Sequence, residues 1–228
     1  MDIATSVAVV TGANRGLGRH FAAQLLERGA KVYAGARDPG KVDLPGAIPL
    51  RLDVTDPESV ARAAAVATDA TFLINNAGSS TGAPLVGGEL ADIRLEMETH
   101  YFGTLAVTRA FAPIIEGNGG GAILNVLSVL SWLHPGGLGG YTAAKAAEWA
   151  LTDAVRDQLA PRGITVAALH VGYMDTDMAA AVPADKKVDP AGVARFALDE
   201  VTAGRPEILA DELSRGVKLG LSTALQAG

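Results

Sequence analysis

The chain has 228 residues, 49% of them hydrophobic and 19% charged, with a formal net charge of −6. A length of this order suits one domain that buries about 70% of its unfolded surface, and the composition excludes disorder as its main character. A net acidic chain with no basic stripe excludes phosphate-driven nucleic-acid binding, and the absence of cysteine excludes disulfides, thiolate metal sites and a cysteine nucleophile. The N-terminus lacks the basic start of a signal peptide, and no apolar run approaches membrane-spanning length. A cytoplasmic enzyme or small-molecule binder is expected, with no metal site, no nucleic-acid partner and no membrane partner.

Val7-Ala8-Val9-Val10 is a short apolar run, the pattern of a parallel strand covered on both faces. Leu17, Phe21, Ala22, Leu25 and Leu26 recur at helical spacing up to Arg28, and Gly29 closes that helix. Lys31–Ala36 and Ile48–Leu52 read as the second and third strands, and Asp56-Pro57 opens an alanine-rich helix that ends near Ala67. Thr71–Ile74 is the fourth strand, followed by Asn75-Asn76-Ala77-Gly78. A long helix is expected from Leu90 to Ile115, with Pro113 as its place to bend. Gly119-Gly120-Gly121 turns into a strand at Ala122–Leu127, Tyr141–Leu159 is helical, and Thr165–His170 is the sixth strand. Asp189-Pro190 opens another helix, and Ile208-Leu209 is a short seventh strand before a final helix ending near Leu221. No repeat or linker divides the chain, so residues 1–228 read as a single α/β domain. Its expected form is a doubly wound parallel sheet of about seven strands flanked by helices, joined by right-handed crossovers. Such a sheet binds ligands beyond the carboxyl ends of its strands.

The residues with chemistry fall at those ends. Thr11-Gly12-Ala13-Asn14-Arg15-Gly16-Leu17-Gly18 joins the first strand to the first helix, where glycines let a phosphate approach backbone N–H groups at a helix N-terminus. Tyr141 and Lys145 lie four apart on one helix face. An ammonium beside a phenol could lower its pKa by up to about three units, making Tyr141 a usable acid. Ser128, at the end of the fifth strand, could donate to the same substrate oxygen.

Together these residues resemble the short-chain dehydrogenase/reductase family over nearly the whole chain. Thr11 to Gly18 matches its T-G-x-x-x-G-x-G loop, Asn75-Asn76-Ala77-Gly78 its N-N-A-G segment, and Ser128 with Tyr141-x-x-x-Lys145 its catalytic serine and Y-x-x-x-K. The resemblance implies a Rossmann-type fold and hydride transfer between NAD(P) and a carbonyl or alcohol. By that likeness Tyr141 is the acid/base, Ser128 orients the substrate, and Lys145 binds the nicotinamide ribose while lowering the tyrosine pKa. Gly12, Asn14, Arg15, Gly16, Leu17 and Gly18 would form the cofactor loop. Arg37, Asp53 and Val54 follow the second and third strands, and Asn75, Ala77 and Gly78 the fourth. Gly172, Met174 and Thr176 follow the sixth. The family's usual Asn in the long helix is replaced by His100, counted with the catalytic residues because its backbone carbonyl could still hold a relay water. Val171 stands where the family has proline.

Ala36 stands where NAD-preferring relatives carry an acid, and Arg15 and Arg37 could clamp a 2′-phosphate, so NADPH is expected ahead of NADH. Asp38 is close enough in sequence to neutralise Arg37. The segment from Val129 to Gly140, with Ser79, Ser80, Tyr173 and Met178, should wall a cleft free of Lys and Arg, which suits an uncharged carbonyl substrate. His134 reads as a loop residue. A homodimer or homotetramer through the long helix and the Tyr141 helix is expected, with Ala143, Ala146, Ala147, Ala150 and Ala154 permitting close contact. A non-catalytic NAD(P) sensor is the alternative, kept open by His100 and Val171.

Overall fold

Seven strands, β1 (Val7–Thr11), β2 (Lys31–Ala36), β3 (Ile48–Arg51), β4 (Phe72–Asn75), β5 (Gly121–Val126), β6 (Ile164–His170) and β7 (Glu207–Leu209), pair in parallel in the computed structural model, which describes residues 1–224. Their order is β3-β2-β1-β4-β5-β6-β7. The chain winds outward from β1 to β3, then crosses back to β4, so the switch point lies between β1 and β4. Each strand begins or ends within a residue of its expected place.

Neighbouring residues on the central strands face opposite layers. Val10, Ile74, Leu124 and Leu169 join Phe21, Leu25, Val193 and Leu198 in one core, under α1 (Gly16–Glu27) and α6 (Pro190–Thr202). Val9, Leu73, Ile123 and Val166 join Val60, Phe111, Ile115 and Leu159 in the other, under α2 (Pro57–Val66), α4 (Thr104–Gly117) and α5 (Gly139–Leu159). This double coverage explains the unbroken apolar runs in the sequence. Both Asp-Pro helix starts form as expected: Asp56 accepts the Glu58 N–H, and Asp189 accepts those of Ala191 and Gly192.

The long helix departs from expectation. It starts as α3 (Leu90–Met97), widens into a π-helical turn at Glu98–Gly103 and resumes as α4, while Pro113 sits inside α4. The wide turn buries Thr99, His100 and Gly103. A Cβ on Gly103 would stand 2.9 Å from Val54 Cγ2 and 3.1 Å from the Glu98 carbonyl. Gly103→Ala is therefore expected to lower unfolding free energy by about 1–3 kcal/mol in urea titrations. Gly117→Ala, whose Cβ meets nothing within 4 Å, should leave it unchanged or raise it by up to about 1 kcal/mol.

Candidate active site

The loops after β1 and β4 meet at the switch point. Thr11 Oγ1 accepts the N–H groups of Asn76 and Ala77, both at 2.9 Å, and Asn76 Nδ2 donates back to the Thr11 carbonyl at 2.9 Å. Gly12 and Gly16 adopt φ of +66° and +52°, the left-handed region that favours glycine. A Cβ on Gly18 would stand 2.3 Å from the Gly12 carbonyl, so that position closes α1 onto the loop only as glycine. Leu17 is buried beneath, and no side chain caps the start of α1. The first-turn N–H groups are left to meet an anionic group. Thr176 lies against this turn, since a Cβ on Gly16 would be 3.6 Å from its Cγ2. The site therefore fits a dinucleotide pyrophosphate by its backbone.

Several expected contacts are arranged differently. Arg15 pairs with Asp177 at 3.4 Å in solvent, instead of standing free. Asp38 accepts the Gly40 N–H and lies 3.9 Å from Lys41, so it does not neutralise Arg37, which is exposed and has no ion-pair partner among the described residues. The Asn75 side chain is committed behind the sheet end, donating to Asn125 Oδ1 at 2.8 Å and Thr108 Oγ1 at 3.2 Å; Asn76 makes the loop contacts. Asp53 Oδ1 accepts from the Thr55 N–H and hydroxyl, and Val54 turns its side chain toward Gly103. Gly172 donates at 2.6 Å to Asp211, and Met174 bridges to Val188.

Ser128, Tyr141 and Lys145 come together. Ser128 Oγ accepts the Leu130 N–H at 3.1 Å and lies close enough to Tyr141 to favour its ionised form. Lys145, 4% exposed, donates to the Val126 carbonyl and to Glu148 Oε2, each at 2.7 Å, with its Nζ 5.9 Å from the Tyr141 ring centroid. Glu148 Oε1 accepts the Thr104 hydroxyl at 2.7 Å. His100 stands edge-on to Tyr141 at 5.1 Å and donates from Nε2 to the Ser79 carbonyl at 2.7 Å. Its Nδ1 has no hydrogen bond and lies 3.8 Å from Glu148 Oε2.

This geometry corrects the expected electrostatics. Burial pushes the Tyr141 pKa up; Lys145 and the Ser128 hydroxyl pull it down, but Glu148 and Glu96 add to the rise, and the net direction is upward. Burial opposes the charge on Lys145, yet Glu148 and Tyr141 raise its pKa above the ordinary lysine value. Burial lowers the His100 pKa well below the usual range, with Lys145 adding to that and Ser79 opposing it, so its ring is neutral near pH 7.

A family model described as short chain dehydrogenase matches residues 6–187. The chain belongs to the short chain dehydrogenase family. It superposes on a short chain dehydrogenase from Burkholderia cenocepacia J2315 in complex with NADP with a TM-score of 0.95 and 39% identity, covering 100% of this chain and 97% of that one. It is 34% identical to a cis-4-hydroxycyclohexanecarboxylate dehydrogenase of Sinomonas cyclohexanicum, over 99% of this chain and 96% of the relative. It is 32% identical to the 3-oxoacyl-[acyl-carrier-protein] reductase FabG of Escherichia coli K12, over 90% of this chain and 85% of the relative.

Within this short chain dehydrogenase, sequence reasoning places Thr11 and Asn76 in motifs without their own role, and it misses Glu96, Thr104, Glu148 and Asp211. Glu148 left a signal: it falls on the buried face of α5 with Ala144, Lys145 and Thr152, where an acid needs a partner. Trp132, expected to wall the cleft, instead stacks on His170 with centroids 3.8 Å apart. Burial, with smaller contributions from Lys218, Lys145 and Arg156 against the Ser128 hydrogen bond, lowers the His170 pKa to about 3. A histidine kept neutral in the fold but protonated in the unfolded chain lowers stability as pH falls below about 6.5, by up to about 1.4 kcal/mol per pH unit for each such group. Unfolding titrations between pH 6.5 and 4 should show this decline, and a folded His170→Phe chain should show a shallower one.

Proposed function

We propose that the protein is an NADPH-dependent reductase of an uncharged ketone or aldehyde, with the whole chain acting as one cytoplasmic domain. The observation that carries this reading is the convergence of Ser128, Tyr141 and a fully enclosed Lys145 beside the glycine loop. The NADP-bound relative and the unneutralised Arg37 support the choice of cofactor. When bound, the nicotinamide supplies the hydride. Ser128 Oγ takes its hydrogen bond from Leu130, and its alternative acceptor, the Val171 carbonyl, is 3.5 Å away, so its own proton is available to a substrate oxygen. Tyr141 keeps its proton near pH 7 and gives it to that oxygen as negative charge develops there. Lys145 steadies the charge, and His100 packs its neutral ring edge-on against Tyr141. Leu133, Tyr173 and Met178, read as the rim of the cleft, are exposed and uncharged, which favours a neutral substrate.

Assembly as a homodimer or homotetramer through α4 and α5 forms part of the same reading. Ala143, Ala150 and Ala154 are exposed along α5 and do not pack on the sheet. Phe102 is 48% exposed beside a groove of about 600 Å³ between α2 and α4. Among the described residues no helix is long and apolar enough to cross a membrane.

NADPH oxidation against a panel of ketones, aldehydes and quinones tests the activity; tight NADPH binding with no turnover would favour the sensor. Tyr141→Phe should lower kcat by about 10²–10⁴-fold with NADPH affinity unchanged, and retention of more than about a tenth of kcat would remove Tyr141 from the acid role. Arg37→Ala should weaken NADPH by up to about 3 kcal/mol, less where solvent screens the contact, and leave NADH binding unchanged in parallel titrations.

A further inference from the structure

Glu148 is absent from the scheme above, yet it is 1% exposed beside the reacting groups. Its two oxygens are spent on different elements. Oε2 takes the Lys145 ammonium from one turn earlier on α5, and Oε1 takes the Thr104 hydroxyl at the start of α4, each at 2.7 Å. The carboxylate thus fixes the lysine in place from the π-helical side of the site. It also competes with Tyr141 for the field of that single ammonium.

We propose that Glu148 is a positioning residue for the Tyr141–Lys145 pair, one that takes up the lysine charge so that Tyr141 holds its proton until the substrate oxygen demands it. The inference rests on the reading of Tyr141 as the acid. Every charged or titratable neighbour is consistent with it. On α5, Lys145 Nζ is 2.7 Å from Glu148 Oε2 and 5.9 Å from the Tyr141 ring centroid. From the π-helical turn, His100 presents an unprotonated Nδ1 toward Glu148 at 3.8 Å and adds no positive charge. From α3, Glu96 is fully buried near Gly140, and its Oε1 holds the Thr81 N–H and hydroxyl. From β6, His170 is neutral near pH 7. Around the phenol one ammonium is thus set against two acids, and the balance disfavours its ionisation. Glu148 and Glu96 both act in that direction, and Lys145 acts against them. A site balanced in this way favours proton donation, hence reduction, near neutral pH.

Tyrosinate ultraviolet absorbance tests this without substrate or cofactor. Titration of the wild-type chain minus Tyr141→Phe isolates Tyr141 from Tyr33, Tyr101 and Tyr173. The same difference taken in a Glu148→Gln background gives the effect of the carboxylate. The wild-type midpoint should lie above that of an exposed tyrosine, and Glu148→Gln should move it toward acid by about one pH unit. Glu148→Asp, which keeps the charge, should restore most of the wild-type midpoint. A residue that only filled space would change stability and leave the midpoint in place. An unmoved midpoint in folded Glu148→Gln overturns the proposal, and Glu148→Met serves as the same reading if the glutamine chain does not fold. A wild-type midpoint below that of an exposed tyrosine overturns it without any variant at Glu148. Failure of the acid reading is seen separately, as a Tyr141→Phe chain that still oxidises NADPH with the carbonyl panel while the midpoint shift stands.

Discussion

An ammonium taken out of water must have its hydrogen bonds replaced, and the placing of Lys145 under Tyr141 commits three elements to that task. The Val126 carbonyl at the end of β5 accepts one N–H, and Glu148, a turn along α5, accepts a second. The third donor is left for the cleft. Glu148 then needs its own second partner, which Thr104 supplies from the helix after the π-helical turn. Removing one member of such a buried pair typically costs about 3–5 kcal/mol, because the other is left charged and unpaired. The widened turn between α3 and α4 is thus tied to the charge on one lysine.

At the other end of the cleft the constraint is steric and applies to backbone. The β1 and β4 loops are joined by Thr11 and Asn76, and this closeness leaves no room for a Cβ at Gly18 or for ordinary φ at Gly12 and Gly16. Both ends rest on strands that are neighbours in space but distant in sequence, and the crossover at the switch point brings them together.

The fold was legible because its signals are local. Apolar runs, Asp-Pro helix starts and the glycine loop each specify an element without reference to the rest of the chain. Ser128, Tyr141 and Lys145 were legible for the same reason, since they stand at strand ends or at helical spacing. What the sequence hid depends on contacts between distant elements. The π-helical turn at Glu98–Gly103 contains no proline, and helical periodicity carries across Gly103, so no stop signal marks it. The ion pair of Arg15 with Asp177 is not legible because the two are far apart along the chain, though near in space. The motif shows Lys145 and so predicts a lowered Tyr141 pKa, whereas burial and the two acids that outweigh it do not show in the sequence.

Trp132 shows what such hidden contacts do for the site. Its ring stacks on His170 of β6, meets Trp149 of α5 edge-on at 5.7 Å and lies under Lys218 of α7 (Glu212–Ala224), whose Nζ is 4.8 Å from its centroid. Lys218 is held in turn by Glu207 of β7 at 2.6 Å. Three elements therefore grip the residue four places after Ser128, with β7 behind Lys218, and His170 also holds the Ser128 carbonyl through Nδ1 at 3.3 Å. The serine is thus held at both its side-chain and backbone oxygens by groups of the fold. The apolar side chains beyond it, Leu133, Tyr173 and Met178, remain exposed. On the proposed reading, the proton-donating pair is set by the fold, and the choice among neutral carbonyl substrates falls to that rim.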